Sequence, residues 1–253
     1  MNTFKQSIGE RLSRYLSEPG HTAGTAAPTR TDLLAQVLQT GDVLLVEGTS
    51  RVSSAIKYLT QSTWSHAALY VGKSATGEIQ FLEADMVHGV RTVALAHFDA
   101  FHCRVCRPFS LNEAERQAVC DFALARVGLH YDMKNIVDLA RYLLPNPPVP
   151  MRWRRKMLSL GSGDPTRAIC STLVAEAFES VNYPILPTVE TLPAIDLLGN
   201  PHAGSSRELL HIRHHSLYVP RDFDVSPYFQ IIKPTLEVGF DHHFLTWAQT
   251  TSK

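Results

Sequence analysis

A polar turn, KSATGE (residues 73–78), separates two apolar runs, HAALYVG (66–72) and IQFLEA (79–84), and this arrangement dictates an antiparallel hairpin. A third run follows at Gly89–Ala94 and another at Cys103–Arg107, while Val43–Glu47 (VLLVE) reads as a buried strand. Helical patterns lie between and after them. Leu33–Leu38 forms a short one ending before Gly41, and Ser50–Thr60 presents Val52, Ile56 and Leu59 on one side. Leu111–Val127 carries Asn112 as N-cap with Glu115 at the capping-box spacing, and Cys170–Val181 is a further helix. The expected class is α+β, an antiparallel sheet packed against helices, with a Pro-punctuated tail after Val181.

Three segments fall outside that pattern. Residues 1–17 place Phe4, Ile8, Leu12, Tyr15 and Leu16 on one helical face, which suits a helix docked on the core or one lying on a membrane or partner. Residues 18–30 (EPGHTAGTAAPTR) read as a linker. Within the main domain, expected over 31–235, residues 141–167 form an excursion. LLPNPPVP denies regular structure there, and MRWRRKMLSL brings four cations and Trp153. Residues 143–160 are expected as a flap or membrane-facing edge beside the site, and residues 236–253 as a terminal tail. The apolar runs near the N-terminus are broken by Lys5, Glu10, Arg11 and Arg14, so no secretory signal is expected. No apolar stretch approaches the roughly 18 residues of a spanning helix. A cytoplasmic protein, with peripheral membrane contact as the alternative, is the expectation. Lys+Arg and Asp+Glu both total 24, which gives no bias towards nucleic acid.

Four cysteines are present: Cys103, Cys106, Cys120 and Cys170. Cys170 opens the helical run CSTLVAEAFESV, sharing a face with Leu173, Val174, Ala177 and Val181, so its thiol points inward. The first turn of a helix favours a thiolate and offers free N–H groups to an oxyanion; a small buried hydrophobe fits the segment too. A thiolate nucleophile needs a histidine held by a third polar group. His66 begins a strand where a hydrophobe would serve packing better. Counting back from the turn sets positions 83 and 84 opposite it, so Glu83 is the candidate orienter if the register puts both on one side, with Asp85 as fallback. Cys103 and Cys106 form a C-x-x-C, but no second ligand pair accompanies them and strand residues three apart face opposite ways. No metal is expected there. HIRHH and DHHF are expected as solvated tail.

The stretches GDVLLVEG, SSAIKYLTQSTWSHAALYVG, FLEAD and ICSTLVAEAF together resemble the YiiX/YaeF-like branch of the NlpC-type papain superfamily, related to the lecithin-retinol acyltransferase-like branch. Ser65-His66, Glu83 and Cys170-Ser171 match that branch's motifs in its permuted order, histidine first and cysteine last. VGLHYD matches a Gly-x-x-Tyr-Asp element through Tyr131 and Asp132, and YVPRDFDVSPYFQII resembles the closing segment. The resemblance, over roughly residues 40 to 230, implies a permuted papain-like fold with Cys170 as nucleophile, His66 as base and Glu83 as orienter, acting without a cofactor. Trp64 and Tyr131 are candidates for lining the substrate. It implies an amide or peptide substrate; a lipid-directed hydrolase or acyltransferase is the alternative, and a binding protein that retains the fold without turnover is the third.

Overall fold

The computed structural model describes residues 26–85, 88–129, 169–195 and 201–244, together with Glu18 and Thr246. The expectations placed on residues 1–17, on the 141–167 excursion with Trp153, and on Tyr131 and Asp132 lie outside the described residues, as does most of the linker.

In chain order the elements are α1 (Thr31–Val37), β1 (Val43–Glu47), α2 (Arg51–Thr60), β2 (His66–Lys73), β3 (Ile79–Asp85), β4 (Gly89–Ala94), β5 (His102–Pro108) and α3 (Glu113–Leu124). They continue with α4 (Ile169–Glu179), β6 (Thr188–Ile195), β7 (Pro201–His211), α5 (Pro220–Val225) and β8 (Phe229–Ile232). One antiparallel sheet runs β4-β3-β2-β1-β5-β8, and β6 pairs with β7 in a separate ribbon.

β1 is central and buried on both faces, which is why VLLVE is a continuous apolar run rather than an alternating one. One sheet face, with Val43, Leu45, Ala67, Leu69 and Leu82, packs against Val119 and Cys120 of α3 and Leu173, Val174 and Ala177 of α4. The other, with Leu44, Val46, Ala68, Tyr70 and Phe81, is closed by Leu34 of α1 and by Phe98. The capping box of α3 is formed: Asn112 Oδ1 accepts from Glu115 N at 2.9 Å, and Glu115 Oε2 accepts from Asn112 N at 2.9 Å. The helix α4 is tied down at both ends. The Ser171 hydroxyl donates to the Tyr218 carbonyl at 2.8 Å, and His215 sits between Glu176 and Glu179 at 3.1 and 2.9 Å.

The tail after Val181 is more ordered than its prolines suggest. The ribbon β6–β7 tolerates Pro193 because each strand has a free edge, and its register breaks between Pro193 and Ile195. Residues 218–232 return to the main body, where Phe223, Phe229 and Ile232 enter the core and β8 extends the sheet beside β5. Among the described residues no helix is long and apolar enough to cross a membrane.

Candidate active site

The register of the β2–β3 hairpin decides what His66 can reach. From the turn, Lys73 pairs with Ile79 and Gly72 with Gln80. A bulge then shifts the ladder, so that Tyr70 pairs with Phe81 and Leu69 with Leu82. Continuing it sets Glu83 opposite Ala68, two places from His66 and on the same face. This corrects the expectation that residues 83 and 84 stand opposite His66. Without the bulge, Glu83 would lie opposite Leu69 and point towards α4. The carboxylate reaches His66 diagonally, with Oε2 2.8 Å from Nε2. Asp85, the fallback, instead accepts from His88 Nδ1 at 2.7 Å.

Cys170 approaches from the face carrying α4. It is only 5% exposed, and Leu173, Val174 and Ala177 on the same side of the helix are buried with it. His66 is the first residue of β2, so its ring stands at the end of the sheet, where the start of α4 meets it. The sulfur hydrogen-bonds the imidazole and accepts from the backbone N–H groups of Ala67 and Ser171. With Nε2 committed to Glu83, Nδ1 is the ring nitrogen left for the thiol.

Burial alone would raise the Cys170 thiol, but the charge and hydrogen bond of His66 outweigh it, and the pKa falls below that of an ordinary cysteine. Burial works against a charged His66 in the same way. The negative sulfur and Glu83 overcome it and hold the imidazole well above its usual range. Both shifts run in the direction that favours a thiolate–imidazolium pair. The other three cysteines behave oppositely. Burial pushes Cys103 and Cys120 up to about 12, and Cys106 up as well. Cys103 and Cys106 also lie in separate core clusters on opposite sheet faces, so the C-x-x-C does not converge.

Glu83 has further partners that the sequence reading missed. Arg91 donates to its Oε1 through Nε at 3.0 Å and Nη2 at 2.9 Å, and His97 Nε2 lies 3.7 Å from the same oxygen. Glu83 is 3% exposed. Burial would raise its carboxyl, yet His66 and Arg91 draw it down to about 2. The expected strand ends, 84 and 89, would set 83 opposite Val90; β3 in fact runs one residue further, so Asp85 pairs with Gly89 and Glu83 with Arg91.

Trp64 is buried. Its indole N–H donates to Asp224 Oδ2 at 3.0 Å, its ring stacks on His102, and Arg104 lies 4.9 Å from its centroid. It lines a hollow whose walls include neither Cys170 nor His66. Ser65, the partner of His66 in the motif, fixes the strand end by accepting from Gly48 N at 2.9 Å. Among the described residues, Asp241, His242 and His243 could offer ligand atoms to a cation within 4.8 Å of one another. All three are exposed, and Asp241 already accepts from the backbone and ring of His243, as in an ordinary turn.

Residues 37–142 match the family described as permuted papain-like amidase enzyme, YaeF/YiiX, C92 family. No curated protein matches. Among solved structures, the crystal structure of metalloprotein YiiX from Escherichia coli O157:H7 aligns with 77% of this chain and 96% of its own, at 18% identity and a TM-score of 0.45. Over residues 37–142, the stretch that carries His66 and Glu83, the chain is similar to the permuted papain-like amidases of that family.

Proposed function

We propose that the protein hydrolyses an amide or peptide bond through a thioester on Cys170, with His66 as acid and base and Glu83 as the group that orients His66. One observation carries this reading: of four buried cysteines, Cys170 alone touches an imidazole and has its thiol drawn downward, while burial drives the others up. The Cys170 sulfur attacks the acyl carbon, and the carbonyl π electrons move to oxygen. The N–H groups of Ala67 and Ser171, which act on the sulfur, supply donors beside that carbon for the oxyanion. As the oxyanion collapses, the C–N bond breaks and the His66 imidazolium gives its proton to the departing amine. The neutral imidazole then takes a proton from water, whose oxygen attacks the thioester carbon. The thiolate leaves, and imidazolium is restored. Throughout, Glu83 holds Nε2 so that Nδ1 faces the reaction.

Intact-mass spectrometry tests this with panels of acyl amides and acyl esters, the esters serving the lipid alternative. The wild-type chain should gain one acyl mass that maps to Cys170, and the Cys170→Ala protein should gain none. Acylation of the variant, or at another cysteine, would overturn the assignment; trapping by lipid esters alone would move the substrate to the alternative class.

A further inference from the structure

At the level of His66 the sheet continues sideways into a second polar site. Val46 of β1 pairs with His66 on one side and with Cys103 of β5 on the other, so His102 and Arg104 flank that level two strands away. Ala67, whose N–H meets the Cys170 sulfur, and Arg104 pair with opposite sides of Leu45 on the α4 face, so two strand spacings of about 4.8 Å separate them by about 10 Å. His102 and Arg104 alternate with Cys103 and therefore project to the face that carries α4 and α5. There, with Trp64, Arg221 and Asp224, they line a hollow of about 440 Å³ whose remaining walls include Gln61 and Thr63.

The charges in this hollow do not balance. Both oxygens of Asp224 are committed, Oδ2 to the Trp64 indole at 3.0 Å and Oδ1 to Arg104 Nη1 at 2.6 Å. That arrangement, with Arg104 over the Trp64 ring, fixes one guanidinium in place. Arg221 is exposed and donates to the Thr60 carbonyl at 3.3 Å; among the described residues no carboxylate lies within ion-pair distance of it. Two guanidiniums thus face one carboxylate, leaving room and one unit of positive charge. Guanidinium forks suit carboxylate and phosphate oxygens.

We propose that this hollow is a subsite for a small anionic group, carboxylate or phosphate, carried by the substrate about 10 Å from the acyl carbon that Cys170 attacks. The proposal rests on Cys170 being the nucleophile. It defines the substrate class as an acyl compound with a terminal anion, held by Arg221 and Arg104 while its reactive carbonyl lies at the start of α4.

A set of tethered alkylating reagents measures the distance directly. N-bromoacetyl ω-amino acids and N-bromoacetyl aminoalkyl phosphates of increasing length are compared with uncharged amide-capped counterparts, and modification of Cys170 is followed by mass spectrometry. In each case the thiolate displaces bromide and a C–S bond replaces the C–Br bond. Anionic reagents that span about 10 Å should react at least fivefold faster than their uncharged counterparts, shorter and longer ones should lose the advantage, and Arg221→Gln should abolish it. This exposed substitution spares the Asp224 network. Whether the carboxylate or the phosphate series gives the larger maximum identifies the anion. A rate independent of length and charge, or a maximum that survives in Arg221→Gln, would refute the subsite while leaving the nucleophile intact. Failure of Cys170 to react faster than Cys103, Cys106 and Cys120 with the uncharged reagents would remove the nucleophile and the subsite together.

Discussion

Replacing Glu83 with Gln removes a charge while leaving a side chain of the same shape, and the structure sets the size of the consequence. The carboxyl lies at about 2 against an ordinary value of 4.5. Each factor of ten in an acid constant is about 1.4 kcal/mol, so its partners favour the ionised form by roughly 3 kcal/mol. His66 and Arg91 share that preference. The share belonging to His66, by which the carboxylate stabilises the imidazolium, is on the order of 1–2 kcal/mol, close to a factor of ten. In Glu83→Gln the proton shared by Cys170 and His66 should therefore return towards sulfur, lowering the ratio of thiolate to thiol at pH 6 about tenfold. The assay is the rate of Cys170 alkylation by iodoacetamide against pH, with the modified residue identified by peptide mapping. As the pH rises and the thiol ionises in both proteins, the difference between them should narrow. An unchanged rate at pH 6 would mean that Glu83 does not set the charge state of the pair, and its role as orienter would fall.

The same carboxylate links stability to pH. Its folded-state value lies below the unfolded one, so its contribution is complete above about pH 4.5 and lost as the pH falls towards 2. Wild-type protein should lose up to ~3 kcal/mol of unfolding free energy across that window, and Glu83→Gln should show a shallower slope by urea titration. Arg91→Gln removes two charge-assisted bonds from Glu83; we expect about 1–3 kcal/mol of lost stability and slower alkylation of Cys170 at pH 5, with Arg91→Lys restoring part of both. Gly48→Ala would bring a methyl group to 2.9 Å from Ser65 Oγ and against Ser53, disturbing the turn that leads to His66, and should lower the denaturant midpoint by an amount worth about 1–3 kcal/mol. Under native conditions limiting iodoacetamide should label Cys170 and spare Cys103, Cys106 and Cys120, all buried with their thiols held high; equal labelling of the four would contradict the site's electrostatics.

The elements that hold the candidate site were readable because each announces itself locally. A continuous apolar run marks β1, a polar turn joins β2 to β3, Asn112 and Glu115 cap α3, and the inward face of α4 is legible from its spacing. The site's wiring was less accessible, since it depends on single-residue register. One inserted residue near Val71 decides whether Glu83 faces His66 or the α4 side, and nothing in HAALYVG distinguishes a bulged from a regular strand. Arg91 was missed by one place: the expected strand ends pair 83 with Val90, and only the extension of β3 to Asp85 sets Arg91 opposite Glu83.

What sequence spacing could not supply was the junction among Trp64, Arg104 and Asp224. Their positions in the chain are far apart, and only the completed sheet, with α5 folded back over β5, brings them into one hydrogen-bonded set. Trp64 lies two residues before His66 and is locked at its indole nitrogen, while Gly48 and Ser65 lock the backbone between them. The histidine thus emerges from a strand entrance fixed on both sides, with few alternatives open to its ring. A thiolate–imidazolium pair requires that restriction, because a ring free to turn would surrender either the carboxylate or the sulfur. The same junction that restrains His66 forms one wall of the cationic hollow.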